Sequence, residues 1–154
     1  MTSVVPWNAE RALEIIGAHA SRPGPMLPIL HALQAEFGCV PDVATSVIAS
    51  ALNLSQADVH GVITFYHDFR RVPAGQHVLK ICRAEACQAM GGEGVSAALL
   101  TRLGIGWGET TADGGLTVDA VYCLGLCACA PAALLDDAPL GRLTVAALDE
   151  ALSA

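Results

Sequence analysis

Two runs decide the reading of this chain: His77-Val-Leu-Lys-Ile-Cys82-Arg-Ala-Glu-Ala-Cys87-Gln-Ala-Met-Gly-Gly92, and Leu116-Thr-Val-Asp-Ala-Val-Tyr-Cys123-Leu-Gly-Leu-Cys127-Ala-Cys-Ala-Pro131. Each begins as a β-rich segment and ends at a pair of cysteines. Gln76–Cys82 alternates as a strand, and Leu116–Tyr122 is rich in β-branched residues. Strand ends are where the chain changes direction, so two such pairs on adjacent loops can present four thiolates to one centre. Cys₄ sets hold zinc or iron–sulfur clusters.

Spacing favours one of these. The gaps within the pairs are four and three residues, with 35 residues between the pairs. Structural zinc takes tight knuckles, most often with two intervening residues, and [4Fe–4S] centres use runs with several two-residue gaps. A [2Fe–2S] rhomb is longer than one ion and suits the wider loops; zinc stays open on spacing alone. Gly91-Gly92 and Gly125 lie beside the pairs, where the absence of a Cβ lets backbone N–H groups approach sulfur. Cys39 and Cys129 fall outside both pairs and read as small buried thiols. No Cys-x-x-Cys dithiol is present.

Outward from these runs the chain changes character. Toward the N-terminus the apolar periodicity is helical. It predicts helices with Ala9, Leu13, Ile16 and Ala20 on one face; over Met26–Phe37, ended by Gly38; with Val43, Val47, Ile48 and Ala51, ending near Asn53; and after Ser55, whose Asp58 completes a capping pattern. Arg70–Gly75 reads as a turn and linker. Beyond the first strand a helix is expected from about Glu93 to Leu103, closed by Gly104. Strands at Ala132–Leu135 and Leu140–Leu143 should flank an Asp-Asp-Ala-Pro turn, and Thr144 should cap a last helix. The expected division is a helical domain over 1–72 and an α/β domain over 76–154.

Composition narrows the function. With 8 basic and 15 acidic side chains in 154 residues the formal net charge is −7, and Lys80 is the only lysine. No basic stripe exists to displace counterions, so nucleic acid is excluded as a main partner. The chain is 53% hydrophobic, but its longest uncharged apolar stretch, Ala120–Leu135, is interrupted by Gly125 and Pro131. It falls short of the ~20 residues a span needs, so no direct membrane insertion is expected. Met-Thr-Ser-Val-Val-Pro-Trp7 lacks the basic and apolar regions of a secretory leader. A cytoplasmic location is expected, where regularly spaced cysteines bind metal more often than they form disulfides. Gly92-Glu-Gly94-Val-Ser-Ala97 fits a dinucleotide fingerprint formally, yet nine residues including a cysteine separate it from the strand, so helix packing explains it better. The histidines at 19, 31, 60, 67 and 77 do not pair at ligand spacing. Phe65, Tyr66 and Phe69 read as core packing between the two halves, and no catalytic residues are singled out; the chemistry belongs to the cofactor.

The two cysteine runs, with Gly108-Glu-Thr-Thr-Ala-Asp-Gly114 between them, closely resemble the 24-kDa [2Fe–2S] subunit family of respiratory NADH dehydrogenase (complex I). Leu27-Pro-Ile-Leu30 with Gln34 and Phe37-Gly38, and Thr64-Phe-Tyr66 with Phe69, are similar to that family's helical half. The resemblance covers roughly residues 25 to 150, and Cys-Arg-Ala-Glu-Ala-Cys-Gln-Ala-Met-Gly looks most like the gamma subunit of soluble NAD-dependent formate dehydrogenases. It implies an N-terminal four-helix segment followed by a thioredoxin-like [2Fe–2S] ferredoxin domain, an α+β or α/β chain overall. It also implies one [2Fe–2S] cluster held by Cys82, Cys87, Cys123 and Cys127. The implied role is a non-catalytic electron-transfer subunit of an NAD-dependent oxidoreductase, docked on a flavin-bearing, NAD(H)-binding subunit and other subunits of its complex. The equivalent subunit of complex I or of a hydrogenase diaphorase is the near alternative, and a structural zinc module the distant one.

Overall fold

The computed structural model describes residues 5–153. Met1–Val4, at the head of the segment read for a leader, lie outside the described residues. The chain divides into two compact units between Pro73 and Ala74.

The first unit is helical: α1 Ala9–His19, α2 Met26–Phe37, α3 Asp42–Leu52 and α4 Gln56–Phe65. Local chemistry sets each boundary. Asn8 caps α1 by accepting from the Arg11 N–H at 3.0 Å, and Gly38 ends α2 at φ 73°, the left-handed conformation only glycine adopts without cost. Ser55 and Asp58 form the expected capping box. Ile16, Ile29, Leu30, Leu33, Phe37, Ile48, Val59 and Ile63 form the core of this unit. The faces of α1 and α3 are rotated from the expected ones. Leu13 and Val43 are exposed, while Ala12, Ile15, Ala44, Thr45 and Ala49 are buried. Gln34 then fixes the end of the unit: its side-chain amide donates to the Asp68 carbonyl and accepts from the Arg70 N–H, both at 2.7 Å. Phe69 is buried, Phe65 is 73% exposed and Tyr66 half-exposed.

The second unit is a five-stranded sheet of order β2-β3-β1-β4-β5, with β1 His77–Cys82, β2 Glu109–Thr110, β3 Leu116–Val121, β4 Ala132–Leu135 and β5 Ala138–Gly141. Strands β1 and β3 run parallel, in register from His77↔Leu116 to Cys82↔Val121; the other described pairs are antiparallel. Between β1 and β3 lie α5 Glu85–Ala89 and α6 Gly92–Leu103, and α7 Val145–Ser153 closes the unit. Leu79 and Ile81, two residues apart on one side of β1, pack with Leu99 of α6 and Leu148 of α7. The architecture is thioredoxin-like. The last hairpin is tighter than the sequence implies. Asp136 and Asp137, at φ 49° and 69°, make a two-residue turn whose positive φ values suit the twist of a hairpin. Ala138 and Pro139 therefore belong to β5, an edge strand on which proline's missing N–H is tolerated.

Candidate metal centre

All four paired cysteines lie at one pole of the sheet. Cys82 ends β1, and Cys87 sits on α5, three residues after the loop Arg83–Ala84 turns the chain back. Both thiols are buried, Cys87 to 2% exposure. Cys123 follows β3, and Cys127 opens the 3-10 turn Cys127–Cys129; both are exposed. Cys123 at φ 70° and Gly125 at φ 76° fold the intervening loop tightly enough to set the Cys123 and Cys127 sulfurs 4.0 Å apart.

Backbone donors surround the buried pair. Burial is the strongest single influence on Cys82 and pushes its thiol up. The N–H groups of Ala84, Cys123 and Leu124 and the Cys87 thiol outweigh burial, so the pKa falls below the usual cysteine value. Cys82 thus meets its own pair and the backbone of the other. Cys87 is pushed up by burial first and by its bond to Cys82 second, despite a donor from Ala132. Cys127 is pushed up mainly by its contact with Cys123 and the charge there. A thiol that resists ionisation beside another sulfur is one that a bound metal ion, with its positive charge, brings to the thiolate. Ala130, Ala132, Val121, Leu124 and Leu126 form an apolar collar.

These observations fit an iron–sulfur group: two sulfur pairs, peptide N–H groups aimed at sulfur, and an apolar wall on one side with solvent on the other. Glycine is required here by space. A Cβ on Gly92 would meet the Cys87 carbonyl oxygen at 2.7 Å, which gives Gly92 of the fingerprint-like run a packing role. Cys129, half-buried, takes its place in the 3-10 turn. Cys39 is buried in the helical unit, its thiol pushed up by burial against the opposing charge of Arg71. Sequence reasoning does not single out Arg83 and Trp107 as partners; the guanidinium lies 5.0 Å from the centre of the indole ring.

A small [2Fe–2S] domain of thioredoxin-like form is what the fold and this pole define. The chain belongs to the thioredoxin-like [2Fe–2S] ferredoxin family, whose sequence profile matches residues 12–154, and it carries a [2Fe–2S] cluster. It is 43% identical over 108 residues to a Pseudomonas aeruginosa protein, one of the subunits of NADH-quinone oxidoreductase, covering 70% of this chain and 65% of that one. It is 39% identical over 123 residues to the protein of the same name in Escherichia coli K12, covering 80% and 74% respectively. Among solved structures, an NAD+-reducing [NiFe]-hydrogenase in its H2-reduced state superposes with a TM-score of 0.68 at 26% identity, over 83% of this chain and 21% of that chain. The chain thus spans about two thirds of its Pseudomonas relative and about a fifth of the hydrogenase polypeptide.

Proposed function

We propose that this chain is an electron-transfer subunit of a multisubunit NAD(H)-linked oxidoreductase, its one [2Fe–2S] cluster held by Cys82, Cys87, Cys123 and Cys127. The observation that carries the reading is the convergence of two cysteine pairs, 35 residues apart in sequence, at the ends of two adjacent parallel strands. The four thiolates would bind the iron, the N–H groups at Cys82 would offset the negative charge of its sulfur, and the collar would exclude water from one side. When bound, the cluster takes up and gives back single electrons. The sequence singles out no catalytic set, which suits a relay that neither oxidises the substrate nor binds the nicotinamide.

The setting we assign is an NAD-dependent formate dehydrogenase, on the wording of Cys82–Gly91. The names of the relatives support the same role in a complex I-type enzyme as the second setting. The partner is a flavin-bearing NAD(H)-binding subunit in the cytoplasm, and the helical unit, residues 1–72, adds docking surface to the domain at 76–154. Among the described residues no helix is long and apolar enough to cross a membrane. The rim of the cysteine pole carries large exposed apolar side chains, Met90 three residues after Cys87 and Tyr122 beside Cys123, the latter 72% exposed. Aromatic and methionine side chains are enriched at protein interfaces, and an electron carrier must bring its centre close to its donor.

Purification from the native host tests this. The expected product contains about two irons and two acid-labile sulfides per chain, gives an S = ½ EPR signal with dithionite, and co-purifies with a flavoprotein. The substrate subunit found with it, identified by mass spectrometry and by reduction with formate or NADH, distinguishes the settings. One equivalent of zinc without labile sulfide, in anaerobically prepared protein, overturns the cluster. A cluster-loaded monomer that never associates with a flavoprotein overturns the partner.

A further inference from the structure

Arg83 lies between two of the proposed ligands, and all three of its polar parts are engaged. Its N–H donates to the Val121 carbonyl at 2.8 Å, one step beyond the Cys82↔Val121 register of β1 and β3. Its carbonyl accepts from Gln88 Nε2 at 2.8 Å, tying the loop to the residue after Cys87. Its guanidinium stands over Trp107, within the ~6 Å at which a cation is drawn to an aromatic face. The indole is itself fixed. The Gly106 N–H donates to the Glu109 carboxylate at 2.7 Å, the Gly108 N–H donates to the Val118 carbonyl of β3 at 2.8 Å, and the ring packs partly buried against the sheet core.

Resting on the reading of the four cysteines as ligands, we propose that Arg83 is a positioning residue for the cluster. Clamped by Val121, Gln88 and Trp107, it holds the Cys82–Cys87 loop to β3, the strand that delivers Cys123, and so sets the spacing between the two sulfur pairs. Trp107 is the anchor of this clamp. Its distance from the cysteines in sequence does not matter, because both ends of the clamp are referred to the same strand.

The test uses the cluster-loaded full chain and four variants: Arg83→Met, which keeps length and loses charge; Trp107→Leu; the double variant; and Trp107→Phe, which keeps an aromatic face. The readouts are the rate of bleaching under a chelator and the EPR line shape of the reduced protein. A partly exposed cation–π contact corresponds to a factor of about 2 to 5. Arg83→Met and Trp107→Leu should each bleach faster by that factor and shift the g values in the same direction. The double variant should do no more than either single one, and Trp107→Phe should return toward the parent. Additive effects in the double variant, or g values untouched by both single changes, overturn the proposal. Cys82→Ala, run alongside, separates the underlying reading: a cluster that survives it refutes the ligand assignment and the clamp together. A cluster lost in Cys82→Ala but indifferent to Arg83→Met and Trp107→Leu refutes the clamp alone.

Discussion

Replacing Gly92 by alanine, with Gly94→Ala as its counterpart, tests the packing of the cysteine pole with a single methyl group. Both glycines lie in the first turn of α6. A Cβ on Gly92 would stand 2.7 Å from the Cys87 carbonyl oxygen, 3.2 Å from the Cys87 carbonyl carbon and 3.4 Å from Pro131 Cβ. The first two are backbone atoms that no rotamer change can remove, so α5 and α6 must separate or Cys87 must move. Overpacking of this kind costs about 1–3 kcal/mol. A Cβ on Gly94 meets nothing within 4 Å, and the position is exposed and helical. Alanine there restricts the unfolded chain and should stabilise by about 0.4–1 kcal/mol.

The two variants should therefore differ by roughly 1.5–4 kcal/mol, on opposite sides of the parent. For a unit of about 80 residues each kcal/mol is worth ~4–8 °C of melting temperature, so the separation is easily read by circular dichroism of the cluster-loaded protein. Bleaching under a chelator adds a second readout. Gly92→Ala should accelerate it, because the displaced carbonyl belongs to a proposed ligand, and Gly94→Ala should leave it unchanged. Equal melting temperatures, or a Gly92→Ala protein as stable as the parent, would refute the close approach of α6 to Cys87.

Alanine at Cys82, Cys87, Cys123 or Cys127 should abolish or severely destabilise the cluster, while Cys39→Ala and Cys129→Ala keep full iron content; bleaching by Cys129→Ala but not by Cys127→Ala would put Cys129 in place of Cys127 as the fourth ligand. Four thiolate ligands without histidine place the midpoint near the plant-type value of about −400 mV, and a redox titration above about −150 mV, where Rieske centres begin, would contradict that ligand set. Burial tends to raise the Asp136 pKa, but the hydrogen bonds from His77 and the Val78 N–H hold the carboxyl below its usual range. Its folded pKa lies under the unfolded value of about 3.9, so its stabilisation is present above that pH and is lost as the pH falls through the folded pKa. Asp136→Asn should lower stability at neutral pH and flatten the decline below about pH 4 in urea titrations.

What is legible in the sequence depends on whether the signal is local. Gly38 and Asn53 stop helices because each takes a left-handed conformation at the predicted place, and Ser55 with Asp58 announces α4 within four residues. The packing faces of α1 and α3 are misjudged by periodicity because apolar residues stand on more than one side of each helix. Leu13 and Val43 complete a regular stripe yet are exposed, whereas Ala12, Ile15, Ala44 and Ala49 are buried. Asp136-Asp137 lacks the glycine that usually marks a two-residue hairpin, so the sequence suggests a turn two residues too long. α5 and β2, five and two residues in length, are too short to show a period. The cysteine pairs are visible from spacing, but the contact of Arg83 with Trp107 joins residues in different segments and leaves no local trace.

The parallel pairing of β1 and β3 is what turns that spacing into a site. Six residues of strand run about 20 Å, so antiparallel neighbours would leave Cys82 and Cys123 at opposite ends of the sheet, out of reach of any one cluster. Parallel neighbours in the register Cys82↔Val121 deliver both loops to the same pole, and the helices between the strands are the crossover such a pairing requires. That crossover carries Cys87 back onto Cys82. The antiparallel strand β4 then begins at this same pole, where the Ala132 N–H reaches Cys87. Each of these strands, β1, β3 and β4, contributes a sulfur or a donor where it meets the pole. The wide gap between the cysteine pairs is therefore the length of a β-helix-β crossover, and shortening it would cost the parallel pairing before it tightened the site.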